Sequence, residues 1–371
     1  MLRRRWSSRW FGCMLWLLSP IGLGAEADGL AGAIDSRHRG ICWVGGRSPV
    51  TAAQFEMLRS KRIEWISQTP FGWQRAIDEP RLDTNVERSA QGHGILWGES
   101  DEGIRRTTAL AKSHGIKTLL KPHIWLTPQS GQWRGLIAMQ NATDWQIWFA
   151  NYERFILHYA ELAEAEGIEA LSIGTELHET VRQRSSDWRQ LIGKIRRVYS
   201  GQLTYSANFN REFAEVPFWD LLDFIGIQAY FPLASAAEPS IGELLQGWLP
   251  HVKAIEAVQR RYQKPVVFTE VGYRSVRHTA REPWVWPDRY DIDSTTVSNE
   301  AQARAFEAMF QMFWRRPWFA GTYVWKWYPT VNGHEYYSSN AQSPSISAFH
   351  SIDFTPQGKP AEQVISDWYA R

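Results

Sequence analysis

Two glutamates end apolar stretches of the chain that have the composition of buried β-strands. Glu176 follows Leu171–Thr175, and Glu270 follows Val266–Thr269. Burying a carboxylate costs free energy, so each glutamate needs either a partner or a chemical purpose. One such purpose is glycoside cleavage with retention, in which two carboxylates about 5–5.5 Å apart protonate the leaving oxygen and attack the anomeric carbon. The alternative is that each glutamate is an isolated polar strand end bonded to a neighbouring Lys or Arg.

Aromatic and amide side chains follow several other candidate strands, and the chain as a whole contains 21 Trp, 13 Tyr and 17 Phe. A core needs apolar area but not indole in particular, so this excess indicates binding surfaces built from flat rings. Rings that stack on C–H faces and amides that bond hydroxyls suit a sugar. The residues that we expect to bind substrate are His123, Trp125, Asn208, Tyr230, Trp325, Trp73 and Trp327. For His123, a structural role at a strand end is the alternative.

Other residues have weaker interpretations. We expect Lys121 to pair with a carboxylate beneath the site. His178 and Glu179 follow Glu176 closely, but no His, Asp or Glu cluster has a convincing ligand spacing, so we expect no metal and no cofactor. Loops as long as the predicted Leu126–Thr143 and Gly272–Val297 loops are uncommon unless functional. Their tryptophans either wall substrate subsites or hold the loops in place; these are Trp133, Trp284 and Trp286.

The elements that must position these residues alternate along the chain from Gly40 onward. Short β-rich runs alternate with amphipathic stretches, which is the pattern of βα units. The candidate strands are Gly40–Val44, Arg62–Gln68, Ile116–Lys121, Ala170–Gly174, Gln202–Ala207, Phe224–Ala229, Pro265–Thr269 and Ala320–Trp325. The candidate helices are Ala52–Arg59, Glu102–His114, Trp145–Glu166, Asp187–Tyr199, Ile241–Tyr262, Glu300–Trp314 and Ala361–Tyr369. The fifth crossover is weak and rests on Phe213–Leu222 alone.

This alternation predicts an α/β fold, a single (β/α)₈ TIM barrel with long βα loops over residues 28–371. Such barrels need about 250 residues and tolerate insertions. A doubly wound sheet is the alternative, because local patterns do not show closure. In a barrel the site lies at the carboxyl ends of the strands. Glu176 and Glu270, on the fourth and seventh strands, would then face each other across one mouth.

Residues 1–27 are interpreted as a targeting segment and not as part of the fold. Four arginines precede the apolar run Phe11–Leu18, and small residues follow, with possible cleavage after Ala25 or Ala27. This is the pattern of a secretory signal peptide. We therefore expect the protein to be secreted or periplasmic. An uncleaved membrane anchor is the alternative.

Charge and cysteine content exclude further classes. The full chain has 41 Lys and Arg against 39 Asp and Glu, and removing residues 1–27 leaves 37 against 38. A nucleic-acid partner therefore has no electrostatic support. Cys42 is the single cysteine after that removal, so we expect no intramolecular disulfide and a buried thiol. We expect a monomer that binds a polysaccharide or oligosaccharide and makes no membrane contact after signal removal.

Four segments of the chain together resemble glycoside hydrolase family 113, the β-mannanase family within clan A of retaining (β/α)₈ glycosidases. The segments are Lys121–Trp125, Gly174–Leu177, Thr269–Tyr273 and Pro356–Glu362. The resemblance covers nearly the whole mature chain. It implies that Glu176 is the acid/base and Glu270 the nucleophile. It also implies that Tyr230 bonds the nucleophile and that Trp325 lies under the sugar at the cleavage point.

One residue departs from the clan pattern. Many members have Asn before the acid/base, whereas Thr175 stands here, so His123 or Asn208 is left to contact the sugar 2-hydroxyl. The resemblance implies a retaining endo-β-glycosidase whose first expected substrate is β-1,4-mannan. The alternatives are another β-glycan, an exo-acting enzyme and, in a different class, a non-catalytic polysaccharide-binding barrel.

Overall fold

The computed structural model describes residues 37–90, 94–127, 130–286, 296–329 and 350–371 of the 371-residue chain. The signal segment predicted over residues 1–27 lies outside these residues, and it stays a prediction. Across the described part of the chain, no helix combines the length and the apolar composition needed to span a membrane.

Eight parallel strands close into one barrel, in the order β1–β11–β10–β9–β8–β7–β5–β2 when all strands are numbered along the chain. The barrel strands are β1 (His38–Trp43), β2 (Trp65–Gln68), β5 (Lys117–Leu120), β7 (Ala170–Thr175), β8 (Gln202–Asn208), β9 (Ile225–Gln228), β10 (Val266–Val271) and β11 (Phe319–Trp327). Each of them overlaps a strand predicted from the sequence. The predicted TIM barrel is therefore confirmed, and the doubly wound alternative is wrong.

Helices connect the barrel strands on the outside. They are α1 (Ala52–Ser60), α2 (Asn85–Ala90), α3 (Asp101–Ser113), α4 (Ala142–Glu166), α5 (His178–Gln183), α6 (Ser185–Val198), α7 (Glu212–Glu215), α8 (Ile241–Tyr262), α9 (Asn299–Phe313) and α10 (Pro360–Tyr369). Several begin where a side chain accepts a hydrogen bond from a backbone N–H of the first turn, which satisfies one otherwise unpaired donor. These capping residues are Ser100, Asn141, Ser240 and Ser298. The weak fifth crossover contains only α7 and a 3₁₀ turn, Trp219–Leu221.

A three-stranded sheet stands beside the barrel and was not predicted from the sequence. Its strands are β3 (Phe71–Gln74), β4 (Asp83–Thr84) and β6 (His123–Leu126). β3 pairs in parallel with β6 and antiparallel with β4. Pro70 and Pro122 separate β3 and β6 from barrel strands β2 and β5, because a proline has no N–H to continue a ladder. The sheet therefore extends one wall of the barrel and carries His123 and Trp125.

The core has two layers. Neighbouring residues of a strand point to opposite faces, so Ile41 packs in the large cluster between barrel and helices while Cys42 packs in a small cluster with residues of other strands. Cys42 is 1% exposed and forms no disulfide. Burial raises the pKa of its thiol to about 12. The expectation of a buried cysteine is confirmed.

Candidate active site

A cleft of about 720 Å³ lies where the carboxyl ends of the barrel strands meet. This is the end at which TIM barrels carry their sites, and the volume is within the range of ligand-binding clefts. Residues that follow or end seven of the eight strands contribute to its wall. They include Trp43, Thr69, Glu176, Asn208, Tyr230, Glu270 and Trp325. Both glutamates therefore enter the same cleft.

Glu270 belongs to β10 and is only 5% exposed. Lys121 donates from Nζ to its Oε1, and the Tyr230 hydroxyl donates to its Oε2 at 2.9 Å. Lys121 is fully buried, so the ion pair and its hydrogen bonds offset the cost of removing both charges from water. Lys121 pairs with a carboxylate as expected, but that carboxylate is Glu270 of the cleft itself and does not lie beneath the site.

Glu176 directly follows β7 and has a φ of 53°, in the left-handed region that a residue with a side chain rarely adopts. Its Oε1 accepts a hydrogen bond from Asn208 Nδ2 at 2.6 Å. Its Oε2 lies 3.3 Å from Arg134 Nε and 3.4 Å from Trp133 Nε1. The carboxylate is therefore held from two sides at the edge of the cleft.

His123 and Arg134 link the two glutamates. Arg134 lies 3.2 Å from His123 Nδ1, and because arginine can only donate, this nitrogen accepts and the ring proton is on Nε2. His123 Nε2 is 3.8 Å from Glu270 Oε1. Burial, followed by the charges of Arg134 and Lys121, lowers the pKa of His123 well below its ordinary value. Each glutamate does bond a basic residue, but the pair shares one network and neither is an isolated strand end.

The structure places most of the predicted substrate-binding residues on the wall of this cleft. Trp325 lies there beside a cis peptide bond to Lys326. The other members of this group are His123, Trp125, Asn208 and Tyr230. The loop tryptophans Trp133, Trp284 and Trp286 also line the cleft, a position that favours a role in walling subsites over one of only holding loops.

Trp327 lies in the core, which corrects one of the predicted contacts. Trp327 is 1% exposed and packs in the core. The register of β11 against β1 shifts between Val324 and Trp327, which breaks the alternation that would have placed Trp327 on the same face as Trp325. Trp73 is not among the described cleft residues. Its indole N–H donates to Asn85 on α2.

Sequence reasoning missed two charged residues of the cleft. Arg134 contacts Glu176, and its position directly after Trp133 in a long loop was an available signal. Glu99 ends the 3₁₀ turn Trp97–Glu99 and faces the cleft. Burial raises the pKa of Glu99 to about 8. Nothing in the sequence distinguishes Glu99 from an ordinary surface glutamate.

His178 and Glu179 do not form a metal site with their neighbours. His178 Nε2 lies 2.7 Å from Glu215 Oε2, and Glu179 pairs with Arg182. Across the described residues, no three His, Cys, Asp or Glu side chains come close enough together to hold a metal ion.

The sequence model of Glycoside Hydrolase Family 113 matches residues 47–359. The chain belongs to this family. It is therefore a glycoside hydrolase with a carbohydrate substrate, as the four resembling segments implied. Membership of this family favours an enzyme over a non-catalytic polysaccharide-binding barrel.

Solved structures similar to this family 113 hydrolase include two mannanases. A complex of a GH113 β-1,4-mannanase has 24% identity and a TM-score of 0.72, covering 90% of this chain and 99% of that one. GH113 β-mannanase AaManA from Alicyclobacillus acidocaldarius, in complex with ManMIm, has 25% identity and a TM-score of 0.71, covering 91% and 99%. A β-glucuronidase from Ruminococcus gnavus shares the fold alone, at 12% identity and a TM-score of 0.56, covering 90% and 50%. No curated protein matches the sequence.

Proposed function

We propose that this hydrolase is a retaining endo-β-glycosidase that cleaves β-1,4-mannan, with Glu176 as acid/base and Glu270 as nucleophile. The observation that carries the proposal is the glutamate pair, which enters one cleft from β7 and β10 with two strands between them in the barrel. Two similar members of the family are described as β-mannanases. That description supports mannan as the first substrate to test.

The partners of each carboxylate fit its proposed role. Lys121 and Tyr230 orient Glu270 and stabilise its negative charge, which a nucleophile needs when it attacks the anomeric carbon. Glu176 donates a proton to the glycosidic oxygen as that bond breaks, and a covalent glycosyl-enzyme forms on Glu270. Glu176 then takes a proton from water, and the water oxygen displaces Glu270 from the anomeric carbon.

Proton NMR of the first products tests the stereochemistry. Two inversions at the anomeric carbon return the β configuration, so the β anomer should appear before mutarotation produces the α anomer. Appearance of the α anomer first would overturn the retaining mechanism. The same reaction, run on a panel of β-1,4-linked mannan, glucan and xylan oligosaccharides, identifies the sugar. The sizes of the products separate endo from exo cleavage.

His123 is the better candidate of the two for the contact to the sugar 2-hydroxyl. Asn208 already donates to Glu176 and accepts from the backbone N–H of Asn210 at 2.8 Å. His123 Nε2 is buried and has no hydrogen-bond partner among the described residues. It lies close to the nucleophile, and C2 is bonded directly to the carbon that Glu270 attacks. We propose that the Nε2–H donates to that hydroxyl.

Export to the periplasm or the medium is part of the proposal. A polysaccharide too large to cross a membrane must be cleaved outside it, and residues 1–27 have the pattern of a signal peptide. Mass spectrometry of the mature protein should therefore show loss of the first 25 or 27 residues. A full-length chain retained in the membrane fraction would support the anchor instead.

A further inference from the structure

A buried carboxyl group outside the cleft bonds two residues that hold Glu176. One of them contacts the side chain of Glu176 and the other the backbone next to it. Glu212 begins α7, and its side chain is 0% exposed. Its Oε2 accepts from the backbone N–H of Asn208 at 2.6 Å, and its Oε1 accepts from the Tyr205 hydroxyl at 2.5 Å. Neither the predicted site residues nor the proposed mechanism uses this group.

The first of these contacts leads to the carboxylate of Glu176. Asn208 is the last residue of β8, and its side-chain amide donates to Glu176 Oε1 at 2.6 Å. The direction of that amide depends on the backbone at Asn208, which Glu212 holds. The side-chain oxygen of Asn208 also accepts from Asn210 N. Glu212 and Asn210 thus fix the residue that orients the carboxylate.

The second contact leads to the backbone of Glu176. The Tyr205 hydroxyl donates to Glu212 and accepts from the backbone N–H of Leu177 at 2.6 Å. Leu177 is bonded directly to Glu176, whose φ of 53° is a strained value for a residue with a side chain. A strained turn persists only where neighbouring contacts hold it, and Tyr205 supplies one of them.

We propose that Glu212 is a positioning residue for the acid/base, and that it holds the Glu176 side chain through Asn208 and the Glu176 backbone through Tyr205. The proposal rests on the proposed role of Glu176. Burying a carboxyl group is costly, and a single one here receives two donors that lead to the same catalytic residue. A glutamate that only held a surface loop would need neither to be buried nor to accept from two residues that both lead to Glu176.

The effect of a misplaced acid/base depends on the leaving group. A poorly acidic sugar hydroxyl needs the proton from Glu176, whereas 2,4-dinitrophenolate leaves without it. Glu212→Gln keeps the size of the side chain but replaces one of its two accepting oxygens with an NH₂ group, which can only donate. Its kcat/KM should fall about 10²-fold on mannohexaose, because a displacement near 1 Å has that order of effect. On 2,4-dinitrophenyl β-mannobioside its kcat/KM should change less than about 3-fold.

Two further variants make the test specific. Tyr205→Phe removes only the hydroxyl that joins Glu212 to Leu177, so it should show the same selective loss even if Glu212→Gln does not fold. Glu215→Gln is the matched control, because Glu215 lies on the same short helix but is exposed and pairs with His178. It should retain wild-type kinetics on both substrates. Equal losses on the two substrates, or wild-type kinetics of Tyr205→Phe, would overturn the proposal.

A double-mutant cycle separates failure of this proposal from failure of the proposed function. With 4-nitrophenyl β-mannobioside, Glu212→Gln should add nothing to Glu176→Ala if Glu212 acts only through Glu176. Additive losses would contradict the positioning role of Glu212 but not the acid/base role of Glu176. If Glu176→Ala itself shows no dependence on the leaving group, the acid/base assignment is wrong and the role of Glu212 is wrong with it.

Discussion

Glu176 and Glu270 have different neighbours, and the roles assigned to them predict different mutant phenotypes. Glu270→Ala removes the atom that forms the covalent intermediate, so kcat should fall about 10⁴-fold or more on every substrate. Glu176→Ala should lose far less kcat/KM on an activated aryl glycoside than on the natural glycan. Added azide should then attack the intermediate of this variant and give a β-glycosyl azide, which NMR identifies.

The azide product also shows whether the two roles have been exchanged. Glu270→Ala has no covalent intermediate, so azide can at most displace the leaving group directly and give the inverted α-azide. A β-azide from Glu270→Ala together with an α-azide from Glu176→Ala would mean that Glu270 is the acid/base and Glu176 the nucleophile.

The loss of activity expected on replacing His123 depends on a single substrate group, the 2-hydroxyl of the sugar. His123→Ala removes the buried Nε2–H, and kcat/KM on the 2-hydroxy sugar should fall about 10–10²-fold, since a lost hydrogen bond to a transition state is of that order. The same variant should be nearly indifferent on the 2-deoxy analogue of the aryl glycoside. His178→Ala, which removes the contact with Glu215 outside the cleft, is the control. Equal losses with both sugars would assign His123 a structural role.

Single residues also show where sequence reasoning stops. Glu176, Glu270 and Lys121 were found because a charge at the end of an apolar strand is anomalous in the sequence itself. Trp327 was misplaced because the register shift in β11 is set by its pairing with β1, which no local pattern records. Glu212 was missed because its burial comes from the packing of α7 against β8, and in sequence it resembles the exposed Glu215.

At the scale of elements, the barrel strands were predictable and the side sheet was not. Parallel strands buried on both faces tend to be continuous apolar runs, and β10 comes close to this pattern. β1, β5 and β8 include polar residues and were predictable from their alternation with amphipathic helices. β3 and β6 are short, and their apolar residues are mixed with Gln74 and His123, so no strand pattern distinguishes them from the residues that follow β2 and β5. Their pairing is nevertheless what fixes His123 opposite Phe71.

Among the loop elements, the described residues that follow β10 support a specific prediction for the leaving-group side of the cleft. Trp284 is 41% exposed and stacks on Phe209 with ring centroids 5.2 Å apart. Phe209 follows Asn208, which bonds the acid/base, so this pair lies beside the group that protonates the leaving sugar. Trp284→Ala should raise KM for mannohexaose about 10-fold, equivalent to about 1.4 kcal/mol, and leave kcat within about 2-fold.

The control for Trp284 is a change of similar exposure outside the cleft. Leu249 on α8 is 49% exposed and is not among the cleft residues, so Leu249→Ala should leave KM unchanged. A loss of kcat without a change in KM for Trp284→Ala would mean that the loop shapes the reacting centre and that Trp284 does not bind a distant sugar.

At the scale of the whole molecule, buried ionisable groups make stability depend on pH, and their contributions differ in sign. Burial raises the pKa of Glu212 from 4.5 to about 8, against the opposing effect of its hydrogen bonds. Burial lowers the pKa of His38 to about 3 and that of Lys359 to about 7. A raised pKa gives stability that is lost as pH rises, whereas a lowered pKa gives stability that is lost as pH falls. The total pH profile therefore does not isolate any one group.

The contribution of Glu212 can be isolated by difference. Between pH 4.5 and about 8 the unfolded chain loses the Glu212 proton while the folded chain keeps it. The unfolding free energy of the wild type minus that of Glu212→Gln should therefore fall with rising pH, by roughly 2–3 kcal/mol between pH 5 and pH 7. Denaturant unfolding at each pH measures this difference.

Glu164→Gln is the control of opposite sign, because hydrogen bonds from Ser200 lower the pKa of Glu164. The difference in unfolding free energy between the wild type and Glu164→Gln should therefore stay level above pH 5. A level difference for Glu212→Gln as well would mean that Glu212 is ionised in the folded protein throughout this range. The two donors from Asn208 and Tyr205 would then outweigh its burial.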